Sequence, residues 1–171
     1  HEDHIGALPY LWKQLKLPIY ATPFTAEMVR LKMAETELMK EVKIHTVQPG
    51  SFFEVGPFVM QMVQLTHSIP EMNAFVIKTR LGTILHTGDW KFDDNPLVGP
   101  ASDYAALKKF GDEGVLAMVC DSTNVLNPRS SGSESALYQN LLDIVKESNR
   151  MVVITTFASN IARVETISKV A

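Results

Sequence analysis

The four residues His1-Glu2-Asp3-His4 (HEDH) decide how the rest of the chain is read. They set two imidazoles and a carboxylate within one short turn. That is the mixed nitrogen and oxygen donor set a divalent metal requires, provided the turn aims the groups at a common point. Surface clusters of this kind also arise by chance, so the pattern needs support from elsewhere. Two later residues supply it. His67 directly follows the apolar run ending Leu65-Thr66, and Asp89 follows Ile84-Leu85-His86-Thr87-Gly88. A polar side chain at the end of a buried strand lies at the rim of a sheet, where ligand-handling groups gather. Taken singly, His67 reads as a structural hydrogen-bonding histidine. Taken with His1, Asp3, His4 and Asp89, it reads as part of a metal-ligand series.

Composition bounds the rest. The 171 residues are 46% hydrophobic and 20% charged, enough apolar material for one sizeable core. Sixteen basic and 19 acidic residues give a net charge of −3, spread evenly along the chain with no basic tail or stripe. Bulk phosphate attraction is therefore absent, which disfavours a simple nucleic-acid-binding module. A nucleic-acid substrate would have to be held by metals or by a few local Arg and Lys side chains. No apolar run approaches the roughly 18 residues of a membrane span, and no secretory leader pattern is visible. The lone Cys120 excludes an internal disulfide framework and fits a reducing, cytoplasmic setting.

Periodicity predicts an α/β chain. Residues 5–17 show helical spacing, with Leu8, Leu11, Trp12 and Leu15 on one face. Residues 18–21 read as a short strand. Thr22-Pro23 is a helix start with Pro at the first turn, and helix formers follow to about Glu41. Strands are expected at 43–47, 52–55 and 58–66, the last apolar on both faces. A hairpin around Leu81-Gly82 joins strands 73–79 and 83–86. Residues 92–102 read as a loop, 103–110 as a short helix and 115–120 as an apolar strand. After the turn-rich stretch 124–133, a helix over about 134–148, a strand over 151–155 and a helix from about Ser159 complete the pattern.

Several segments together resemble one family. HEDH matches the last four positions of the loop motif H-x-H-x-D-H of the metallo-β-lactamase superfamily, His67 in THSIP its lone histidine, and Asp89 its lone aspartate. The segments LHTGDWKFD (Leu85–Asp93), CDSTN (Cys120–Asn124), SGSES (Ser131–Ser135) and TTFASNIARV (Thr155–Val164) narrow the resemblance to the ribonuclease J branch, which carries an inserted β-CASP domain. Ala162 departs from that pattern, because many members of the branch have His there. The first His of the loop motif would stand two positions before His1, and the last metal-binding His of the family beyond residue 171, so the chain is expected to be an internal fragment.

The resemblance implies a four-layer αββα metallo-β-lactamase sandwich over residues 1–127 and the opening of a β-CASP α/β domain over 128–171. It implies two Zn2+ ions, with His1 and His67 on one, Asp3 and His4 on the other, and Asp89 bridging. Asp3, Asp89 and Asp121 would be the residues of catalysis, Asp121 by orienting a metal ligand, although a plain capping Asp after a strand reads equally well. Ser159, Asn160, Ile161, Ala162 and Arg163 would hold substrate phosphate at a helix start. Lys91 and Arg129 read as solvated surface charges. The implied activity is hydrolysis of RNA phosphodiesters, both 5′-to-3′ and internal, in mRNA decay and rRNA maturation, on single-stranded RNA and as a homodimer or tetramer. A small-molecule hydrolase of the same superfamily and a non-catalytic RNA-binding relative remain the alternatives.

Overall fold

The computed structural model describes residues 1–171, which form two compact units, His1–Pro49 and Gly50–Ala171. The α/β class read from the sequence holds in both.

The first unit is built on a β-α-β crossover. Strand β1 (Ile19–Ala21) pairs in parallel with β2 (Ile44–Thr46), Tyr20 opposite His45, and helix α3 (Pro23–Ala34) connects them. Parallel pairing requires such a crossover. Thr22 and Pro23 start α3 as expected, but the helix stops at Ala34, short of Glu41. There Thr36 donates its hydroxyl to the Met33 carbonyl and accepts the Leu38 amide, nucleating a separate 3-10 turn over Glu37–Lys40. Two helices precede the crossover, α1 (Glu2–Ile5) and α2 (Leu8–Leu15). The expected apolar face of α2 is only partly used. Trp12 is buried with Val29, Met33 and Val42, whereas Leu11 and Leu15 are exposed. Trp12 also donates its indole N–H to the Leu17 carbonyl at 2.7 Å, which fixes the exit of α2. His45 stacks on Tyr20, with ring centroids 4.6 Å apart, and serves packing.

The second unit carries a five-stranded sheet in the order β3 (Phe52–Val55), β4 (Phe58–Gln64), β5 (Asn73–Thr79), β6 (Gly82–His86), β7 (Ala117–Val119). Neighbours run antiparallel except β6 and β7, which are parallel. Gly56, at φ 57°, opens the two-residue turn between β3 and β4, a conformation open to glycine. The β5–β6 hairpin forms as expected, but it turns at Arg80-Leu81, one residue earlier than Leu81-Gly82, because Gly82 pairs with Thr79. Helix α4 (Tyr104–Glu113) covers one face of the sheet. Phe110 is buried among Val63, Leu65, Ala74 and Val76, with Ala106 and Leu107 alongside. Strand β4 is deeply buried only at Met62 and Val63, not along both faces throughout.

Beyond β7 come a 3-10 turn at Glu134–Ala136, helix α5 (Leu137–Glu147) and helix α6 (Ile161–Val170). Ala162, Thr166 and Val170 form the buried stripe of α6 at four-residue spacing. The expected strand at 151–155 does not form. Its residues have strand-like composition, but no neighbouring strand offers them a ladder, and a strand exists only through pairing.

Candidate metal centre

The sheet of the second unit sets up one rim. Strand β5 is antiparallel to both β4 and β6, and β7 is parallel to β6, so the C-terminal ends of β4, β6 and β7 emerge at the same edge. The residues that leave those ends are Thr66-His67-Ser68, Thr87-Gly88-Asp89 and Cys120-Asp121. The tertiary fold thus brings His67, Asp89 and Asp121 to one edge although the first and last stand 54 positions apart in sequence.

Two buried threonines hold these loops. Thr66 precedes His67 and is almost fully buried. Its hydroxyl donates to the Lys91 carbonyl, accepts the Asp93 amide at 3.2 Å, and lies 2.9 Å from the Ser102 hydroxyl. Its backbone amide donates to Ser102 Oγ, and its carbonyl accepts the Lys91 amide, both at 2.9 Å. The loop bearing His67 is therefore stapled to the segment that follows Asp89. Thr87 does the same for the other two loops. Its amide donates to the Val119 carbonyl at 2.9 Å, and its hydroxyl accepts the Asp121 amide at 3.1 Å. Between Thr87 and Asp89, Gly88 sits at φ 60°, and a Cβ there would come within 2.6 Å of Met72 Cε. The turn that presents Asp89 thus favours glycine for its backbone conformation, while the Met72 methyl could swing aside.

Asp121 forms the turn cap that is one of its two sequence readings. Its Oδ1 accepts the Thr123 hydroxyl at 2.6 Å and the Thr123 amide at 2.9 Å, a turn cap. These bonds hold its carboxyl below the usual range against an opposing push from burial, and the charge of His67 and the amide of Trp90 add to the depression. The carboxylate is therefore ionised and close enough to His67 to feel its field, with the residue after Asp89 as a donor. Cys120 is half-buried, with its thiol donating to the Asp121 carbonyl. His86 is exposed, and its Nδ1 accepts the Gly88 amide at 3.1 Å, so it supports the Asp89 turn.

The remaining predicted ligands lie in the first unit. His1 occupies the N-cap of α1, and Asp3 and His4 stand within that single turn. His4 Nε2 is 3.5 Å from Asp3 Oδ2, with both side chains largely exposed. Glu2 pairs with Lys32 of α3, which anchors the turn to its own unit.

The predicted phosphate-holding segment is engaged within the protein. The amides of Ile161, Ala162, Arg163 and Val164 donate to Ser159 O, Ser68 O, Asn160 Oδ1 and Asn160 O. The Arg163 guanidinium binds both carboxylate oxygens of the buried Glu134, which raises its pKa further. No free first-turn N–H is left for an anion. The segment instead closes a ring. Asp93 Oδ2 accepts the Ser133 hydroxyl at 3.0 Å and the Glu134 amide at 3.1 Å, Glu134 holds Arg163, and the Ala162 amide returns to Ser68, next to His67. Ala162, where the resembling branch often has His, is buried in this ring. Burial pushes the Asp93 carboxyl up, but the hydrogen bonds from Ser133, Asn95 and Glu134 and the charge of Lys91 together take it below its ordinary value. The ring borders a cleft of roughly 210 Å3 lined by Thr66, His67, Lys91, Asp93 and Asn160 among others. Thr66, Ser102, Asp93 and Glu134 were not singled out from the sequence. Asp93 and Glu134 lie in the quoted LHTGDWKFD and SGSES segments, but nothing local marks their roles.

The donor chemistry at the rim fits a divalent metal of the zinc type: an imidazole at His67 and a carboxylate at Asp89, backed by an ionised Asp121. No family model matches the chain. It is 46% identical to ribonuclease J of Sinorhizobium meliloti over 100% of its own length, and 41% identical to ribonuclease J of Corynebacterium glutamicum over 96%. It spans 30% of the first relative and 23% of the second. A crystal structure of a protein of unknown function from Enterococcus faecalis matches 90% of this chain and 39% of its own with a TM-score of 0.61 at 16% identity, a likeness of fold alone. Identity of 34–46% to several ribonucleases J, running over all or nearly all of this chain, places it in the ribonuclease J family as a segment of such a protein.

Proposed function

We propose that this chain is catalytic material of a zinc-dependent ribonuclease of the metallo-β-lactamase type. In this reading residues 1–127 contribute to the four-layer αββα sandwich and residues 128–171 begin the β-CASP domain. The observation that carries the proposal is the shared rim at the ends of β4, β6 and β7, where Thr66 and Thr87 lock the loops bearing His67, Asp89 and Asp121. His1, Asp3, His4, His67 and Asp89 would hold two Zn2+ ions, with Asp89 as the shared ligand. When bound, the ions lower the pKa of a water toward about 7 and neutralise phosphate charge.

The protein's own groups do the rest. His67 and Asp89 need fixed orientations, which Thr66 and Gly88 supply. Asp121 stays ionised near His67, where a negative charge favours the ring N–H that a ligating histidine carries on its other nitrogen. The cleft beside His67 would admit a phosphodiester, and Asn160 is the polar side chain of the α6 start that lines it, since the amides there and Arg163 are engaged. The reaction consumes one water and breaks one P–O bond of single-stranded RNA. Cleavage from the 5′ end and internally, roles in mRNA decay and rRNA maturation, a cytoplasmic location and a homo-oligomeric state complete the proposal.

Its test uses the full-length protein that contains this chain. Zinc content is measured by elemental analysis, and a 5′-monophosphorylated RNA is assayed beside a chromogenic lactam. RNA cleavage with bound zinc is expected, and Asp89→Ala should abolish the cleavage and lower the zinc content. Lactam turnover with intact RNA would replace the proposal by a small-molecule hydrolase. RNA binding without zinc or cleavage would replace it by a non-catalytic relative.

A further inference from the structure

A second cleft, of roughly 410 Å3, lies on the other side of the Trp90–Phe92 segment from the cleft of His67. Lys91 lines both, so this segment is the wall they share. One side of the second cleft is aromatic. Trp90 packs against the core, and Phe92 meets it at a tilt with ring centroids 4.7 Å apart and meets Tyr104 edge-on at 4.9 Å. Phe92 nonetheless keeps 47% of its surface exposed.

The facing side is polar. It carries Ser122, Asn124, Arg129 and Ser131 on the loops after β7. The Arg129 guanidinium makes no ion pair or hydrogen bond, whereas Arg30 and Arg163 each bind a carboxylate. The Lys91 ammonium likewise makes no hydrogen bond or salt bridge. Two cations outside any salt bridge thus line a cleft that also carries an exposed aromatic ring, hydroxyl and amide groups and Asp121, with Lys91 near enough to Asp93 to act on its charge.

We infer that this cleft is a nucleotide subsite, in which one base of single-stranded RNA stacks on Phe92 while the backbone phosphate beside it contacts Arg129 and Lys91. The inference rests on the ribonuclease reading above. Stacking on a fixed aromatic ring tolerates any base, and a guanidinium gathers the phosphate without reading sequence. Lys91, on the shared wall, meets the strand where it crosses from the cleft of His67 to the cleft of Phe92. A chain with a net charge of −3 thereby collects a polyanion through local cations instead of overall charge.

The test is a cycle between protein and substrate in the zinc-loaded full-length protein. Short single-stranded RNAs carrying one abasic nucleotide, moved position by position, are compared with the intact RNA for initial cleavage. Wild type should show one position where base removal raises KM about tenfold, the scale of a lost stacking contact. Phe92→Leu keeps the apolar packing on Trp90 but removes the aromatic face. It should raise KM for intact RNA by a similar factor and abolish the penalty at that one position. Arg129→Gln, at an exposed site with no folding contacts, should raise KM several-fold and weaken its salt dependence. Hydrolysis of bis(p-nitrophenyl) phosphate, too small to reach the subsite, should be unchanged in both variants. Additive effects of Phe92→Leu and the abasic position, or an unchanged KM in both variants, would overturn the subsite while leaving the ribonuclease reading intact. A wild-type protein that cleaves none of the RNAs would overturn that reading first.

Discussion

At the scale of single residues, the site depends on side chains of no obvious chemical interest. Thr66 is the clearest. Its hydroxyl bonds Lys91, Asp93 and Ser102 from a position that water barely reaches. Thr66→Val keeps the shape but strands those partners, and an unsatisfied buried polar group costs about 1–3 kcal/mol. We expect Thr66→Val to lower the denaturation midpoint accordingly and to weaken metal retention roughly tenfold or more, with Thr66→Ser restoring much of both. Metal retention unaffected by the Val variant would separate Thr66 from the metal centre. Asp93 gives a pH prediction. Its folded pKa lies below the ordinary 3.8, so its contribution to stability is fully present above that value and is lost as pH falls through the folded one. The stability gap between wild type and Asp93→Asn, read from urea midpoints, should be widest above about pH 5 and should close as pH drops below about 4. A gap that is constant across that range would mean the carboxylate's charge is immaterial. The sequence marks His1, Asp3, His4, His67 and Asp89 as candidates because histidine is scarce, five in 171 residues, and the aspartates stand at informative spacing beside them. Thr66 and Asp93 were not, because Thr and Asp are common and their role depends on partners 25 to 41 positions away.

At the scale of elements, the short-range signals read well. Pro23 and Gly56 mark boundaries through local backbone preference, and the structure places them accordingly, while the β5–β6 turn falls one residue before the Leu81-Gly82 position read from sequence. Elements whose fate rests on neighbours read less well. The 151–155 segment has apolar, β-branched composition but no ladder. Leu11 and Leu15 have helical spacing but no partner to cover them. The α6 start likewise reads as an anion site by its local pattern, yet its donors are taken up by Ser68, Ser159 and Asn160. The Glu134–Arg163 pair fastens α6 to the 3-10 turn ahead of α5. Arg163→Met leaves the Glu134 carboxylate buried without its partner. The loss should be roughly 2 kcal/mol, below the 3–5 kcal/mol of a fully buried pair, because the guanidinium is 34% exposed. Glu134→Gln with Arg163→Met should recover part of that loss, and a double-mutant cycle in urea measures the coupling. Strictly additive losses would mean the two groups do not stabilise each other.

At the scale of the whole molecule, apolar surface is left uncovered. Strand β7 is exposed along its length and pairs on one side only, and Met151, Val153 and Phe157 form a second exposed run. Patches of this kind associate. The 171-residue chain in isolation is expected to self-associate in light-scattering measurements at micromolar concentration, and Met118→Lys with Val153→Lys should reduce that association. A monodisperse monomer without the substitutions would show the patches to be inert. The α/β class, the major strands and helices and the family were determined by sequence, because hydrophobic period, turn residues and motif spacing act over a few positions. The tertiary structure alone decided which of those residues meet. Pairing of β4, β5, β6 and β7 carries His67, Asp89 and Asp121 to one edge, hydroxyls of Thr66 and Thr87 fix the loops there, and the wall of Trp90–Phe92 divides the two clefts. The physical reason is that hydrogen bonds and burial join groups by distance in space, which periodicity along the chain does not encode.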